Sequence, residues 1–400
     1  MDETPPPPRA QEVFQAFLVQ GLTAFGGPVA HLSYFRREFV ERRAWLSEAA
    51  FADLLALAQF LPGPASSQLG MAIGLRRAGY LGMLAAWLGF TLPAAAAMIA
   101  LAYAAPSLYE VLGRGYIHGL QIAVAAVVLQ ALVAMARTLA VGPIRAGIAI
   151  GAAAGLIFAE GGAVAEILAL AAGGAFGLAF LREPAAVAPD DPETRKVPAP
   201  VAIGALAVFA VLLASLPVLA AVFDDSTLGL ASVFYRAGAL VFGGGHVVLP
   251  LLQSEIVDRG WLDQNSFLGG YGAVQALPGP LFSFAGFVGA SQQVAPGGWR
   301  GGLVALVAIF LPGMLLVLGV LPFWDRLKGQ PISRAALSGV NAAVVGVLAA
   351  ALWNPVLTTA IHRPSDWALA AGAFVFLAIA RLPPWLVVLA FAVLVGFFGR

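Results

Sequence analysis

The stretches QFLPGPASS (Gln59–Ser67) and QALPGPLFS (Gln275–Ser283) carry one shared word, Gln-x-Leu-Pro-Gly-Pro, each inside a long apolar segment. Inside a helix, proline is about 3 kcal/mol worse than alanine and glycine about 1 kcal/mol worse. A chain that breaks two greasy segments at matching places must use the breaks. Backbone groups freed by a break are not tolerated against lipid, so each break is expected to be buried in protein or to line a watery cavity. Pro64 and Pro280 suit the first position of a following half-helix. That half-helix presents free N–H groups and the positive end of its dipole, a ready anion site. Ser66, Ser67 and Ser283 add hydroxyls in its first turn. Gln59 and Gln275 add amide donors from the preceding half, and Pro62-Gly63 and Pro278-Gly279 form the turns. Two such ends facing one another near the midplane would wrap an oxyanion in neutral donors. The plainer alternative is that Pro-Gly-Pro only kinks a packed helix.

Outside these words the chain is that of a membrane protein. Of its 400 residues 60% are hydrophobic and 11% charged, against roughly 25% charged in soluble domains. Runs such as 81–105, 117–136 and 302–323 approach the roughly 20 apolar residues that a membrane helix needs. Thirteen candidate segments lie near 11–32, 50–74, 79–104, 117–137, 141–159, 163–181, 201–223, 228–250, 266–290, 301–321, 335–354, 366–381 and 383–399. The fold class is thus an all-α polytopic membrane protein. A net charge of +1 gives no reason to expect nucleic acid, and the absence of cysteine excludes disulfides and thiolate chemistry. The start, MDETPPPPRA, has neither the basic region nor the short apolar core of a signal peptide and reads as a disordered tail over 1–10.

The segments repeat. FGGPVAHL (Phe25–Leu32) answers FGGGHVVL (Phe242–Leu249), Glu38 answers Glu255, and WLSEAAF (Trp45–Phe51) answers WLDQNSF (Trp261–Phe267). GYLGMLAAWLGFTLP (Gly79–Pro93) answers GWRGGLVALVAIFLP (Gly298–Pro312), and Gln121 answers Asn341. The chain divides into a first half (11–181), a polar linker (182–200), a connecting transmembrane segment (201–227) and a second half (228–400). Segments one and eight are repeat partners, and seven crossings between them would turn the second half upside down. Inverted repeats are a mark of secondary transporters. If both Pro-Gly-Pro segments are re-entrant hairpins, only six crossings separate the partners and the halves run parallel. With Arg236 left out, Lys and Arg divide 13 to 8 between the two sides for thirteen crossings and 15 to 6 for re-entrant breaks, so the positive-inside bias favours re-entrance.

Other residues carry two readings each. Gly26 and Gly27, with Gly243, Gly244 and Gly245, allow close packing or add backbone donors to the site. Arg36, Arg37, Arg76 and Arg77 either set topology or form an anion funnel. Glu38 and Glu255 either make salt bridges at the rim or couple protons. His31 and His246 each read either as a polar group near the membrane surface or as a candidate for proton coupling. Glu160 and Glu166 border a loop at an interface. Gln121 and Asn341 either bond across helices or line the pathway.

The pattern FGG…E…WL…F…ALAQFLPGP…G, present in both halves, resembles the duplicated domain of chromate ion transporters over roughly residues 11–140 and 228–355. The resemblance implies a long-chain, two-domain member with halves of opposite orientation. It implies a chromate-resistance antiporter of the bacterial inner membrane that moves chromate outward, driven by the proton gradient, with sulfate as competitor, no cofactor and no metal; a homodimer is left open. The site is not symmetric, since FGGP in one half faces FGGGH in the other. Two rival classes remain. A lipid-phosphate or pyrophosphate hydrolase would need an arginine beside the serines, and none lies nearer than Arg76. An anion channel would show single-channel currents. No GxxxxGK[ST] loop is present to bind nucleotide.

Overall fold

The computed structural model describes residues 10–158, 162–182, 197–242, 245–294 and 296–398. The expected tail, most of the linker, Glu160, Gly243 and Gly244 lie outside the described residues. Every regular element among the described residues is helical. Among the described residues six helices are long and apolar enough to cross a membrane, with four shorter apolar ones beside them. The architecture is the all-α, polytopic, duplicated one expected from the sequence.

Four of the thirteen segments turn back instead of crossing. Helix α1 (Ala10–Thr23) stops at a break, and α2 (Gly27–Arg36) returns alongside it, continued by a π-helical turn over Arg37–Arg42. The return is fixed by Phe17, which stacks on Phe39 at 4.6 Å and meets Phe35 edge-on at 5.4 Å, and by Arg43, 3.8 Å from Glu12. Helix α3 (Glu48–Phe60) runs inward to Pro-Gly-Pro, where α4 (Ala65–Leu112) begins. The first limb of α4 ends at Arg77, which lies over Trp45 at 4.9 Å and 3.4 Å from Glu12. It is therefore back at the mouth from which α3 set out. Backbone at Ala78 and Gly79 leaves the helical region, and α4 reverses. In an unbroken helix Gly74 and Gly82 would be about 12 Å apart. Here a Cβ on either would sit 2.3 or 2.2 Å from the other's carbonyl oxygen.

The second half repeats the plan. Helix α9 (Ser226–Leu240) is answered by α10 (Val248–Ile256), and Arg236 reaches Glu255 across the hairpin at 2.5 Å. Helix α11 (Gln264–Gln275) is answered by α12 (Phe284–Ser291), and Gln293 N–H donates to the Trp261 carbonyl at 3.0 Å. Helix α13 (Gly298–Val320) then packs on α12 through Gly289 and Gly301.

Two long helices show that the halves are inverted. The second limb of α4 runs from the first-half mouths to Tyr103, whose hydroxyl accepts from Trp299 N–H (2.8 Å) beside the second-half mouths. In the other direction α13 passes into α14 (Trp324–Leu327), where Trp324 Nε1 donates to Asp53 of α3 at 3.0 Å and Lys328 lies 3.3 Å from the same carboxylate. The hairpins of the two halves thus start from opposite ends. The parallel alternative fails because the FGG segments are hairpins as well. Among the described residues, α4's second limb, α5 (Arg114–Leu139), the shorter apolar α6 (Pro143–Phe158), α7 (Ala163–Phe180) and α8 (Ala199–Phe223) lie between the partners, and an odd number of passes inverts the copy.

The remaining helices are exchanged between halves. Gly119 of α5 touches the backbone of Phe391 and Ala392 in α18 (Pro384–Phe398), while Gly173 and Gly177 of α7 touch Gly339 of α15 (Pro331–Ala351). Small residues permit this backbone approach in lipid, where close packing drives association.

Candidate substrate site

The four hairpin tips meet. Gly63 N–H donates to the Val241 carbonyl at 2.6 Å, and Gly279 N–H donates to the Ala24 carbonyl at 3.0 Å. The bonds are repeat-related, for Val241 is the partner of Ala24 and Gly279 that of Gly63. Each Pro-Gly-Pro tip is therefore held by the FGG tip of the opposite half. The turns require glycine. Gly63 has φ +123° and Gly279 φ +99°, a region closed to most L-residues. A Cβ on Gly63 would meet Gln68 Nε2 at 2.9 Å.

Around this junction no side chain is charged, and a few are polar. Pro64 and Pro280 are buried, Pro62 and Pro278 half-buried. Ser67 and Ser283 are 2% and 0% exposed, and neither hydroxyl has a hydrogen-bond partner among the described residues. The buried Nε2 of Gln275 has no closely aligned partner, although its amide lies beside the Tyr271 hydroxyl. Native interiors rarely leave such groups unpaired, so a cluster of them at one junction points to a polar occupant. Ser66 is committed elsewhere, 3.4 Å from His31 Nδ1. Gln59, the repeat partner of Gln275, is exposed. Gly26 and Gly27 form the first-half turn with φ +101° and +75°, and Gly245 is buried at the start of the turn leading into α10.

Sequence reading missed three residues. His31 is not near the surface but fully buried, with Nε2 3.2 Å from the Ala24 carbonyl that also receives Gly279. Gln68, wholly buried, donates from Nε2 to the Pro62 carbonyl at 2.8 Å and braces the turn. Tyr271 is buried with its hydroxyl 2.8 Å from Nδ1 of half-buried His246. For Gln68 a signal existed: it stands one helical turn beyond Pro64. For the other two, only the fold brings the partners together.

The remaining candidates lie away from the tips. Buried Glu38 is held by Arg42 (3.1 Å) and Arg43 (2.6 Å), and buried Glu255 by Arg236 and Arg259 at 2.5 Å each. Glu255 bridges the two limbs of its hairpin through Arg236, whereas Glu38 pairs within its own returning limb, from which Arg43 reaches Glu12 of α1. Exposed Arg36 pairs with Glu41 and Glu48, Arg37 is exposed, and Arg76 is half-buried. Gln121 Nε2 donates to Asn265 Oδ1 at 2.8 Å, tying α5 to the start of α11. Its counterpart Asn341 has a buried, unpartnered Oδ1. Glu166 is buried in the first turn of α7, 3.5 Å from Ser254.

Inverted hairpins that meet tip to tip around an uncharged centre give the chain the architecture of a membrane transporter. Its sequence matches the chromate transporter family over residues 11–178 and 228–397, and it belongs to that family. It is similar to the chromate transport protein of Pseudomonas aeruginosa, 33% identical over 96% of this chain and 89% of that protein. It is also similar to the probable chromate transport protein of Synechococcus elongatus (30%, 86% and 83%) and the chromate transport protein of Cupriavidus metallidurans (27%, 87% and 83%). No solved structure matches. The chain is a multi-pass membrane transporter rather than an enzyme, which removes the hydrolase reading.

Proposed function

We propose that this protein exports chromate across the bacterial inner membrane in exchange for protons, with sulfate as a competing tetrahedral dianion. The observation that carries the reading is the reciprocal junction of tips. Residues 24–27, 59–68, 241–245 and 275–283 contain no charged side chain, yet they gather helix N-termini, Ser67, Ser283 and Gln275. Neutral donors suit a dianion that must leave as well as enter, where a buried arginine pair would hold it too firmly. Selectivity for shape then comes from hydrogen-bond geometry, and release from relative motion of the two sets of hairpins. Arg36, Arg37, Arg42, Arg43, Arg76 and Arg77 crowd the first-half mouths, against Arg259 and Arg300 at the second-half mouths. The positive-inside bias then puts the first-half mouths in the cytoplasm.

The test is flux of radiolabelled chromate and sulfate in proteoliposomes, with and without an imposed pH gradient. Chromate movement that follows the gradient and collapses with a protonophore is the expected result. Chromate flux indifferent to the gradient would remove proton exchange, and unitary currents in a planar bilayer would replace the carrier by a channel.

A further inference from the structure

We propose that His118, His362 and Asp366 form a divalent transition-metal site that joins the two halves at the end where the second-half mouths lie. His118 is in the first turns of α5, which belongs to the first half. Asp366 opens α17 (Pro364–Ala378) of the second half, which follows the short α16 (Thr358–Ala360), and His362 stands in the turn between them. One ligand atom from each lies within 4.8 Å of the other two. His118 Nε2 and Asp366 Oδ2 are already 3.2 Å apart. Two donors bound tetrahedrally at about 2.0–2.1 Å from one ion are separated by roughly 3.3 Å, so this pair needs little adjustment. His362 is exposed, and rotation of its side chain closes the remaining gap.

The carboxylate is held in place independently. Asp366 is 4% exposed, and its Oδ2 accepts from the backbone N–H groups of His362 and Arg363 at 2.9 Å each. Such outer hydrogen bonds orient a metal-ligating carboxylate, and they fall on the same oxygen that faces His118 Nε2. Two imidazoles and one carboxylate suit Zn²⁺, Ni²⁺ or Co²⁺ better than Mg²⁺ or Ca²⁺, which prefer all-oxygen shells. The ordinary account, a His118–Asp366 ion pair at a helix start, explains two of the residues. It gives no role to His362, whose ring lies against that of His118 at 5.1 Å and 27°. The site also breaks the internal symmetry, for the repeat partner of His118 is Ser338. A bound ion would link α5 to α17 on one side of the membrane only.

The experiment is Zn²⁺ titration of tag-free, detergent-purified full-length protein against a chromophoric chelator, with Co²⁺ absorption as a report of coordination. One Zn²⁺ per chain is expected, with affinity falling at least tenfold in both His118→Gln and His362→Gln. Zn²⁺ should raise the Tm of the parent but not of His362→Gln, an exposed change that leaves the fold intact. Absence of stoichiometric Zn²⁺, or equal binding by parent and His362→Gln, would overturn the proposal.

Discussion

The two halves share a backbone device and differ in the side chains that brace it. In the first half His31, on the returning limb, spans from the Ala24 carbonyl to Ser66 Oγ, so it ties the FGG tip to the Pro-Gly-Pro hairpin of its own half. In the second half the imidazole has moved. His246 stands in the turn itself and contacts Tyr271, four residues before Gln275. The repeat partner of His31 is Val248, and that of His246 is Val29. The cross-bonds between halves, Gly63 to Val241 and Gly279 to Ala24, survive this change in matching form. The difference separates two tasks. Backbone amides at the tips make the junction that both halves need. Side chains within each half set how stiffly a tip is held, and the two tips need not be equally stiff.

The largest effect should follow from removing the device in one half at a time. Replacing Pro62-Gly63-Pro64 by three alanines lets α3 run on into α4 and removes the positive-φ turn at Gly63. Chromate uptake into everted vesicles should fall to background while membrane insertion persists. The same change at Pro278-Gly279-Pro280 should do likewise. If one triple variant retains more than a tenth of the parent rate, the halves are not equal partners at the junction.

A smaller effect separates the mouths. Glu255 neutralises Arg236, which sits inside the α9 limb, whereas Arg43, as buried as Arg236 and bonded to Glu38, has a second carboxylate in Glu12 at 3.8 Å. Removing one partner of a buried ion pair costs about 3–5 kcal/mol because a charge is left stranded. Glu255→Gln should therefore lower the Tm in detergent clearly more than Glu38→Gln. Equal losses would mean that Arg236 finds another counter-charge.

How much of this was legible in the sequence depends on how local the cause is. Pro-Gly-Pro acts on its own backbone, so the breaks, the half-helices after them and the duplication could all be read directly. The FGG hairpins could not. An apolar run such as 11–32 satisfies the length test for one crossing, and the same residues also make two short limbs around Gly26-Gly27. Missing those two hairpins is what made the parallel arrangement look possible. The break at Ala78-Gly79 falls between the segments expected at 50–74 and 79–104, and only its direction stayed open, since that depended on whether the segment before it was re-entrant. His31 and the exchange of α5 and α15 between halves depend on contacts far apart in the chain, which no local pattern encodes. Gln59 and Gln275 show the opposite limit: matching positions in the repeat, but one exposed and the other with a buried amide nitrogen.

The finest discrimination between the halves lies with two hydroxyls. Ser67 and Ser283 are repeat partners, both buried, and both without a partner among the described residues. A hydrogen bond to a charged group contributes about 1.5–3 kcal/mol, which sets an upper range of about 10- to 150-fold in affinity. A dianion shared among several donors gives each of them less, so Ser67→Ala and Ser283→Ala should each raise the chromate KM by about 3- to 10-fold. Maximal rate should change little, because the backbone junction is intact. If the halves contribute alike, the two single variants match and the double variant shows the product of their effects. If the stiffer bracing of the first half by His31 matters, Ser67→Ala has the larger KM, because a hydroxyl on a rigid tip is aligned before the anion arrives. An unchanged KM in both would take the hydroxyls out of the site and leave recognition to the backbone amides alone.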